Sequence, residues 1–212
     1  MHIKAKNRKA LALFFISALW GCTNPFTTRE SQVEKPDVGS ETGIYEEPTR
    51  AENILVNLSR SIEQKNVQRY MDNFSDPAQG AEKGFTFVGD AAFQDQLIGS
   101  WTLSDEETWF RNLIFPVRGR SPVIRFSYVD SLPRLQPISA TSFEDSVETD
   151  LFRYRFTLAY PDSTQVVEGL ARMRLFRSLN TAREPWLIYY WEDRALDGAT
   201  GKSWTALKIR NR

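Results

Sequence analysis

The chain has 212 residues, with 27 basic against 27 acidic side chains, one histidine and one cysteine, and 41% of its residues are hydrophobic. This is the composition of a globular protein with room for one domain. The zero net charge gives no electrostatic signal for nucleic-acid binding, and a single cysteine excludes both a disulfide framework and a multi-cysteine zinc site.

The N-terminus has the layout of a secretory signal. Lys4, Lys6, Arg8 and Lys9 precede an apolar run, residues 10–20, that is interrupted only by Ser17. At about 1.5 Å per residue this run is too short to cross the roughly 30 Å hydrocarbon core of a membrane as a permanent helix. We therefore predict a signal peptide over residues 1–21.

Leu19-Trp20-Gly21-Cys22 resembles a bacterial lipobox, in which a glycine precedes the cysteine that becomes the acylated first residue of the mature protein. The resemblance implies that Cys22 carries lipid, such as palmitate, and anchors an exported chain to the membrane of the cell envelope. Thr23 is not the aspartate that such lipoproteins use for inner-membrane retention, which favours the periplasmic face of the outer membrane. The alternative is an incidental or buried thiol.

Removal of residues 1–21 changes the available chemistry. It deletes His2 and four basic side chains, so that 23 basic residues face 27 acidic ones and no histidine remains. Ser-His-Asp and Cys-His catalysis and histidine-containing metal sites then lack their groups, and we expect no metal or other cofactor. Any acid-base chemistry would rest on Asp, Glu, Tyr or Lys with shifted pKa values.

An acidic segment follows the cysteine. Residues 23–47 carry six acidic and two basic side chains, two prolines and few apolar residues. Such a composition predicts a disordered tether over residues 22–47, which leaves residues 48–212 for the folded domain. A partner-recruiting peptide is the other interpretation of this segment.

The first part of the domain has a helical period. A capping box at Thr49-Arg50-Ala51-Glu52 and another at Ser104-Asp105-Glu106-Glu107 predict two helix starts. The first stretch is interrupted at Lys65-Asn66, which predicts two consecutive helices or one bent helix. The apolar positions follow one helical face in each segment: Ile54, Leu55, Leu58 and Ile62, then Val67, Tyr70, Met71 and Phe74, and then Trp109, Phe110, Leu113 and Ile114.

The second part alternates between apolar and polar residues. Residues 124–128 and 152–160 alternate, and Pro161-Asp162-Ser163 predicts the turn of a hairpin. The expected register places Phe152 opposite Leu175 and Tyr160 opposite Val167, which makes one face apolar. Further strands are predicted over Trp186–Trp191 and Ser203–Ile209. Short turns favour a curved antiparallel sheet that is covered by the early helices, an α+β fold.

The order of these elements resembles an NTF2-like (SnoaL-like) domain over about residues 48–212. The resemblance includes the helix pair that ends in Tyr70-Met71-Asp72-Asn73-Phe74-Ser75, the short strand Phe85-Thr86-Phe87, and the final strands with Gly169-Leu170-Ala171 and Trp186-Leu187-Ile188. It implies a cone in which helices and a curved sheet enclose a pocket. Such folds serve isomerases, dehydratases, cyclases and non-enzymatic binders, so the fold does not choose the function.

Candidate pocket residues follow from that resemblance. Enzymes of this kind use an aspartate base with a tyrosine or aspartate donor, which points to Asp90, Asp130, Tyr70 and Tyr154. Asp90 and Asp130 also fit simple turns, so no catalytic residue is assigned. The residues expected to line a pocket, with core packing as the alternative, are Tyr70, Phe74, Tyr154 and Phe156.

The outer sheet face provides a candidate interaction patch. The predicted register places Arg153 near Arg174 and Arg155 near Arg172, and such pairs repel each other unless anions or carboxylates separate them. A charge-laced solvated face is the simpler interpretation, and an anion-binding or protein-docking patch is the other. The aromatic strand with Trp186, Tyr189, Tyr190 and Trp191 predicts either coverage by other elements or an exposed binding surface.

Together these observations predict a membrane-anchored envelope lipoprotein with a non-catalytic NTF2-like binding or protein-interaction module. The expected partners are the membrane, through the lipid, and an envelope protein or a small apolar ligand, but not nucleic acid. The alternative is an envelope isomerase or dehydratase that uses a pocket carboxylate and a tyrosine. A structural subunit that forms a homodimer through its sheet face is a third reading.

Overall fold

The computed structural model describes residues 44–97, 100–116, 119–138, 145–196 and 202–212. The predicted signal peptide, Cys22 and most of the predicted tether lie outside these ranges. Within them, none of the helices is both long and apolar enough to span a membrane. Residues 44–47 contact the first helix, where the Asn57 side chain bonds both the N–H and the C=O of Glu46 at 2.8 and 2.7 Å.

Two helices begin the domain, as the interrupted pattern predicts. Helix α1 spans Ala51–Glu63 and α2 spans Val67–Met71. Lys65 adopts a left-handed conformation with φ of 56°, and the Asn66 side chain accepts a bond from the Arg69 N–H to cap α2. The predicted capping box at Thr49 is wrong, because the N-cap of α1 is Arg50 and no side chain caps it.

Helix α3 spans Leu103–Ile114 and begins earlier than predicted. Its capping box consists of Thr102 and Asp105, whereas Ser104 lies inside the first turn. The cause is a tertiary contact of the residue before the cap. Trp101 directly before the cap is only 6% exposed and donates its indole N–H to Glu106, which fixes where the chain enters the helix.

Seven strands of the described residues form one curved sheet. The strands are β1 Thr86–Val88, β2 Val123–Tyr128, β3 Leu135–Pro137, β4 Ser146–Thr149, β5 Phe152–Ala159, β6 Thr164–Arg177 and β7 Trp186–Ala195. Their order is β1-β7-β6-β4-β3, and β5 pairs with both β6 and β2. All neighbours are antiparallel except β1, which is parallel to β7, and a β-bulge at Arg174/Leu175 adds curvature.

The β5–β6 hairpin closes more tightly than predicted. Phe152 pairs with Ala171 rather than with Leu175, and Tyr154 pairs with Gly169. The turn contains only residues 160–163, where the Tyr160 N–H donates to the Ser163 carbonyl. Because the error in register is an even number of residues, each side chain stays on its predicted face.

The last predicted strand is a helix. Residues 204–209 belong to α4, Trp204–Arg210, which is capped by the Ser203 side chain. The strand prediction failed because seven residues are too few to separate the two periods, and because α4 enters the concave side of the sheet, where nearly all of its faces are buried. Helices α1, α3 and α4 thus pack inside the cone.

Candidate functional site

A single buried carboxylate organises the inside of the cone. Glu106, in the first turn of α3, is fully buried and accepts four hydrogen bonds. Its Oε1 accepts from the Tyr70 hydroxyl at 2.5 Å and from the Trp109 indole at 2.9 Å. Its Oε2 accepts from the Trp101 indole at 2.6 Å and from the Lys208 ammonium at 2.5 Å. All its lone pairs are used, as a buried charge requires.

The Lys208 ammonium lies in a box of aromatic rings. Its Nζ is 3.7 Å from the ring centroid of Phe87 and 5.2 Å from that of Trp101. The Trp109 and Trp191 centroids are 5.5 and 5.2 Å away. All four distances are within the range of cation–π attraction. Helix α4 therefore inserts a cation into a site that one carboxylate and four rings form for it.

Burial is the main cause of the pKa shifts of Lys208 and Tyr70. It lowers the pKa of the Lys208 ammonium, and the neighbouring Glu106 carboxylate opposes that shift. The pKa of the Tyr70 hydroxyl lies far above its usual value, first because of burial and then because of the Glu106 charge. Tyr70 therefore stays neutral and acts as a hydrogen-bond donor.

A second carboxylate holds the start of α4. Asp193 on β7 is 1% exposed, and its Oδ1 accepts from the Tyr154 hydroxyl at 2.6 Å. Its Oδ2 accepts from the backbone N–H of Thr205 at 2.6 Å and from the Thr205 hydroxyl at 2.5 Å. The Tyr154 oxygen in turn accepts from the Trp204 N–H at 2.5 Å. Burial raises the pKa of Asp193, and the bonds from Thr205 and Tyr154 oppose the rise.

The Trp204 ring packs edge to face on Trp109, a donor to Glu106, and on Tyr154, a donor to Asp193. Trp204 is fully buried, and its ring lies 4.2 Å from the Trp191 centroid and 4.3 Å from that of Phe156, edge to face in both cases. The structure thus brings Tyr70, Tyr154 and Phe156 together inside the cone, where they contact other protein side chains. Phe74 is also in the core and borders a surface cleft beside α2.

Of the two aspartates considered for catalysis, Asp90 is buried at the edge of that interior and Asp130 lies outside it. Asp90 caps the 3-10 helix Ala91–Gln96, and its second oxygen accepts from the Ala195 N–H at 2.7 Å. Its backbone N–H donates to Thr205. Asp130 is exposed in a bend after β2. Both are therefore turn or capping residues in this fold.

The outer sheet face differs from the predicted arrangement of arginines. Arg153 pairs with Leu170 and Arg155 with Glu168, so that the predicted opposition of arginines is wrong because the hairpin register differs. Glu168 bridges both Arg153 and Arg155, and hydrogen bonding from Arg153 is the main cause that lowers its pKa. Arg174 bonds Glu148 at 2.8 Å.

Arg172 is in no ion pair with a residue that the structure describes. It lies opposite Glu192 in the register, but Glu192 is paired with Arg194, and the buried Nε of Arg172 makes no hydrogen bond with any described residue. Among the described residues this face carries more arginines than glutamates. The arginines are Arg125, Arg153, Arg155, Arg172, Arg174 and Arg194, and the glutamates are Glu148, Glu168 and Glu192.

The aromatic strand β7 is mostly covered. Trp191 faces the cone and is fully buried, and Trp186 is 8% exposed. Tyr189 packs edge to face on Phe176 and accepts the Lys83 ammonium over its ring. Tyr190 lies on the outer face beneath the Arg174 guanidinium at 4.9 Å. The aromatic side chains of β7 are therefore covered by other residues and do not form an open binding surface.

Four interior residues are not predicted from the sequence: Glu106, Asp193, Trp204 and Lys208. A signal for Glu106 existed, since it lies three residues before Trp109 on the apolar face of α3, where a charge is unusual. Lys208 had no such signal. Its burial depends on where α4 lies in the fold.

The architecture of helices inside a strongly curved sheet is that of the predicted α+β cone. This arrangement of helices and curved sheet is the one predicted for an NTF2-like cone. No family model matches the chain, and no curated protein matches it significantly in sequence.

Similar solved structures carry the same fold name. An NTF2-like superfamily protein from Salmonella enterica shares 13% identity over 70% of this chain and 92% of its own, with a TM-score of 0.48. A candidate dehydratase of the NTF2-like family from Streptomyces avermitilis shares 9% identity over 74% of this chain and 98% of its own, with a TM-score of 0.49. An NTF2-like protein from Cytophaga hutchinsonii shares 10% identity over 68% of this chain and 93% of its own, with a TM-score of 0.43. At such values these similarities say nothing about function.

Proposed function

We propose that this protein is a lipid-anchored component of the bacterial cell envelope and that its NTF2-like domain is a non-catalytic interaction module. One observation carries the second part: the chain's own Trp204 and Lys208 fill the interior where a substrate would bind. The lipid anchor rests on the lipobox at Leu19–Cys22. With the interior filled, the outer face of the sheet is the surface proposed for a partner.

The positive charge of the outer sheet face favours an acidic partner. Among the described residues of this face, six arginines against three glutamates form a basic surface, and each glutamate is already in an ion pair. Two copies of the same basic face repel each other, whereas an acidic protein surface is attracted and steered toward it. We therefore propose an acidic envelope protein as the partner.

The buried carboxylate–tyrosine pairs are what the alternative, an isomerase or dehydratase, would need. Glu106 with Tyr70 and Asp193 with Tyr154 have the right chemical types and spacing. However, Lys208 neutralises the first carboxylate, and the amide and hydroxyl of Thr205 donate to the second, so neither is free to take a proton from a substrate. This geometry favours the interaction module.

Mass spectrometry of the full-length protein from its native membranes tests the anchor. We expect Cys22 to be the N-terminal residue and to carry acyl chains, and a Cys22→Ser variant to be unacylated and released from the membrane fraction. An intact signal sequence on an unmodified Cys22 would overturn the anchoring proposal.

The docking surface can be tested with the variant Arg125→Gln/Arg172→Gln. Neither arginine is in an ion pair with a described residue, so the basic excess falls without the loss of such an ion pair. With poly-L-glutamate as the acidic probe, we expect roughly three- to tenfold weaker binding at low salt. The control Arg120→Gln/Arg183→Gln makes the same charge change away from the sheet and should bind like wild type. Equal weakening in both variants, or a dimer that uses this face, would contradict the proposal.

A further inference from the structure

The interior box around Lys208 has the parts of an ammonium receptor. Glu106 supplies a fully buried negative charge whose Oε2 accepts from the Nζ, and four aromatic rings surround the remaining sides of the cation. Sites that combine a carboxylate with aromatic faces bind organic cations. Here the bound cation belongs to the chain itself.

The residue that fills this receptor lies in the last turn of α4. Beyond Lys208, the contacts among the described residues include a part-buried bond from Asn112 to the Asn211 carbonyl at 3.0 Å and a 3.4 Å ion pair between Arg212 and Asp105, whose side chains are 44% and 25% exposed. The Arg212 guanidinium also lies 5.7 Å from the Trp101 ring centroid. Exposed contacts of this kind open at low free-energy cost. Breaking the buried ion pair of Lys208 with Glu106 is costly, so release of Lys208 requires a cation that takes its place.

The receptor also has a wall that faces solvent. Phe87 and Trp101, 7% and 6% exposed, separate Lys208 from a surface cleft of about 520 Å³. The cleft is lined mainly by apolar groups, which include Phe85, Phe87, Val88, Leu97, Trp101 and Leu103. A small linear cation in the cleft therefore needs to pass only one layer of rings to reach Glu106.

From this geometry we propose that the cone is a binding site for small linear primary amines, bound as alkylammonium ions by Glu106 and the four rings, and that Lys208 occupies the site in their absence. The hydrogen bond from Nζ to Glu106 selects a cation that carries N–H groups. A quaternary ammonium ion cannot donate that bond and is rejected. This proposal is independent of the outer sheet face.

The experiment uses n-propylammonium chloride, which replaces the side chain beyond Cβ in Lys208→Ala. Binding is followed by the indole N–H signals of Trp101 and Trp109, because both groups donate to Glu106. We expect a saturable shift of both signals in wild type, and an affinity at least about tenfold higher in Lys208→Ala, since the internal competitor is gone. 1-Propanol and tetramethylammonium should not produce the shift.

The matched control is Lys208→Ala/Glu106→Gln, which keeps the cavity and removes the charge. It should lose the preference for n-propylammonium over 1-propanol. Equal affinity in wild type and Lys208→Ala, binding that survives in the double variant, or no shift in wild type would each overturn the proposal. If Lys208→Ala does not fold alone, refolding with n-propylammonium but not with 1-propanol supports the receptor, and refolding with neither overturns it.

Discussion

At the residue scale, the protein depends on buried charges that are fully paired. A carboxylate or an ammonium removed from water loses several kilocalories per mole of hydration, and a partner with good geometry restores most of it. Glu106 and Lys208 are both fully buried, and the three other donors to Glu106 complete its hydrogen bonding. Such a pair adds little net stability compared with apolar residues, but neither member can be removed alone without a large cost.

This asymmetry gives a testable prediction. Glu106→Gln should lower the free energy of unfolding by about 3–5 kcal/mol, because it leaves the Lys208 ammonium buried without a counter-charge. The double variant Glu106→Gln/Lys208→Met should recover a large part of that loss. Urea unfolding measures both, with the exposed neighbour Glu107→Gln as the control. A double variant less stable than Glu106→Gln would contradict this account.

The ion pairs of Glu168 on the outer sheet face predict that the free energy of unfolding decreases slightly at acidic pH. Hydrogen bonds from Arg153 and Arg155 hold the pKa of Glu168 below its ordinary value of 4.5, with partial burial opposing them. A lowered carboxyl pKa in the folded state stabilises the protein above the ordinary value, and this stabilisation disappears as the pH falls through the folded value.

Thermal unfolding between about pH 5 and 3 measures this effect. Wild type should lose more stability over that interval than Glu168→Gln, by less than about 1 kcal/mol because the arginines are solvent-exposed. Parallel pH profiles of the two proteins would show that Glu168 contributes nothing.

At the element scale, the helical structure of α4 depends on its contacts with the rest of the fold. A seven-residue helix is far too short to be stable alone in water, so its formation depends on docking in the cone. Two groups of contacts hold it: Asp193 and Tyr154 bind its first amides, and Glu106 binds Lys208 one turn later. When α4 is docked, its buried side chains complete the core of the cone.

A substitution at Gly169 tests the contacts of Tyr154 that hold the start of α4. A Cβ at this position would collide with the Tyr154 hydroxyl and lie 2.7 Å from the Arg194 carbonyl, so the absence of a side chain there makes room for the Tyr154–Asp193 bond. We expect Gly169→Ala to lower the free energy of unfolding by about 1–3 kcal/mol. It should also speed amide exchange in α4, since Tyr154 accepts from the Trp204 N–H.

The control for this change is Gly84→Ala. Its added Cβ would meet only the Pro77 ring, at an ordinary contact distance of 3.8 Å. A wild-type exchange rate in α4 of Gly169→Ala would contradict the proposed role of the Tyr154 hydroxyl.

At the scale of the whole molecule, one face of the sheet holds the core and the other carries charge. The helices and the aromatic interior lie on the concave side, while alternation along β5 and β6 directs the arginines outward. The stability of the fold and the proposed docking surface are thus separated by the sheet. Substitutions such as Arg172→Gln can change binding without disturbing the core.

The sequence also predicts how the whole chain is divided. Limited proteolysis of the mature protein should cut first between Thr23 and Gly43, where the composition indicates a tether, and leave a resistant fragment that begins near residue 44. Mass spectrometry of the fragments checks this. First cleavage within residues 51–114 would contradict the predicted boundary.

The sequence by itself determined the elements with long, regular patterns. The apolar faces of α1 and α3 and the alternation of β5 were readable because side-chain period depends only on local geometry, and these elements led to the α+β NTF2-like cone. The same local rules placed the Ser104 box and the hairpin register incorrectly, since neighbouring Ser, Thr and Asp residues offer near-equivalent caps and turns.

Only the tertiary structure decided what fills the cone. Residues 204–209 are a helix because they dock against Trp109 and Trp191, and Lys208 is buried because Glu106, more than a hundred residues earlier in the chain, lies opposite it. A local pattern cannot show a contact between distant segments, and it cannot show that a lysine finds its counter-charge inside the protein. For this chain, that contact determines both the filled interior and the proposed amine site.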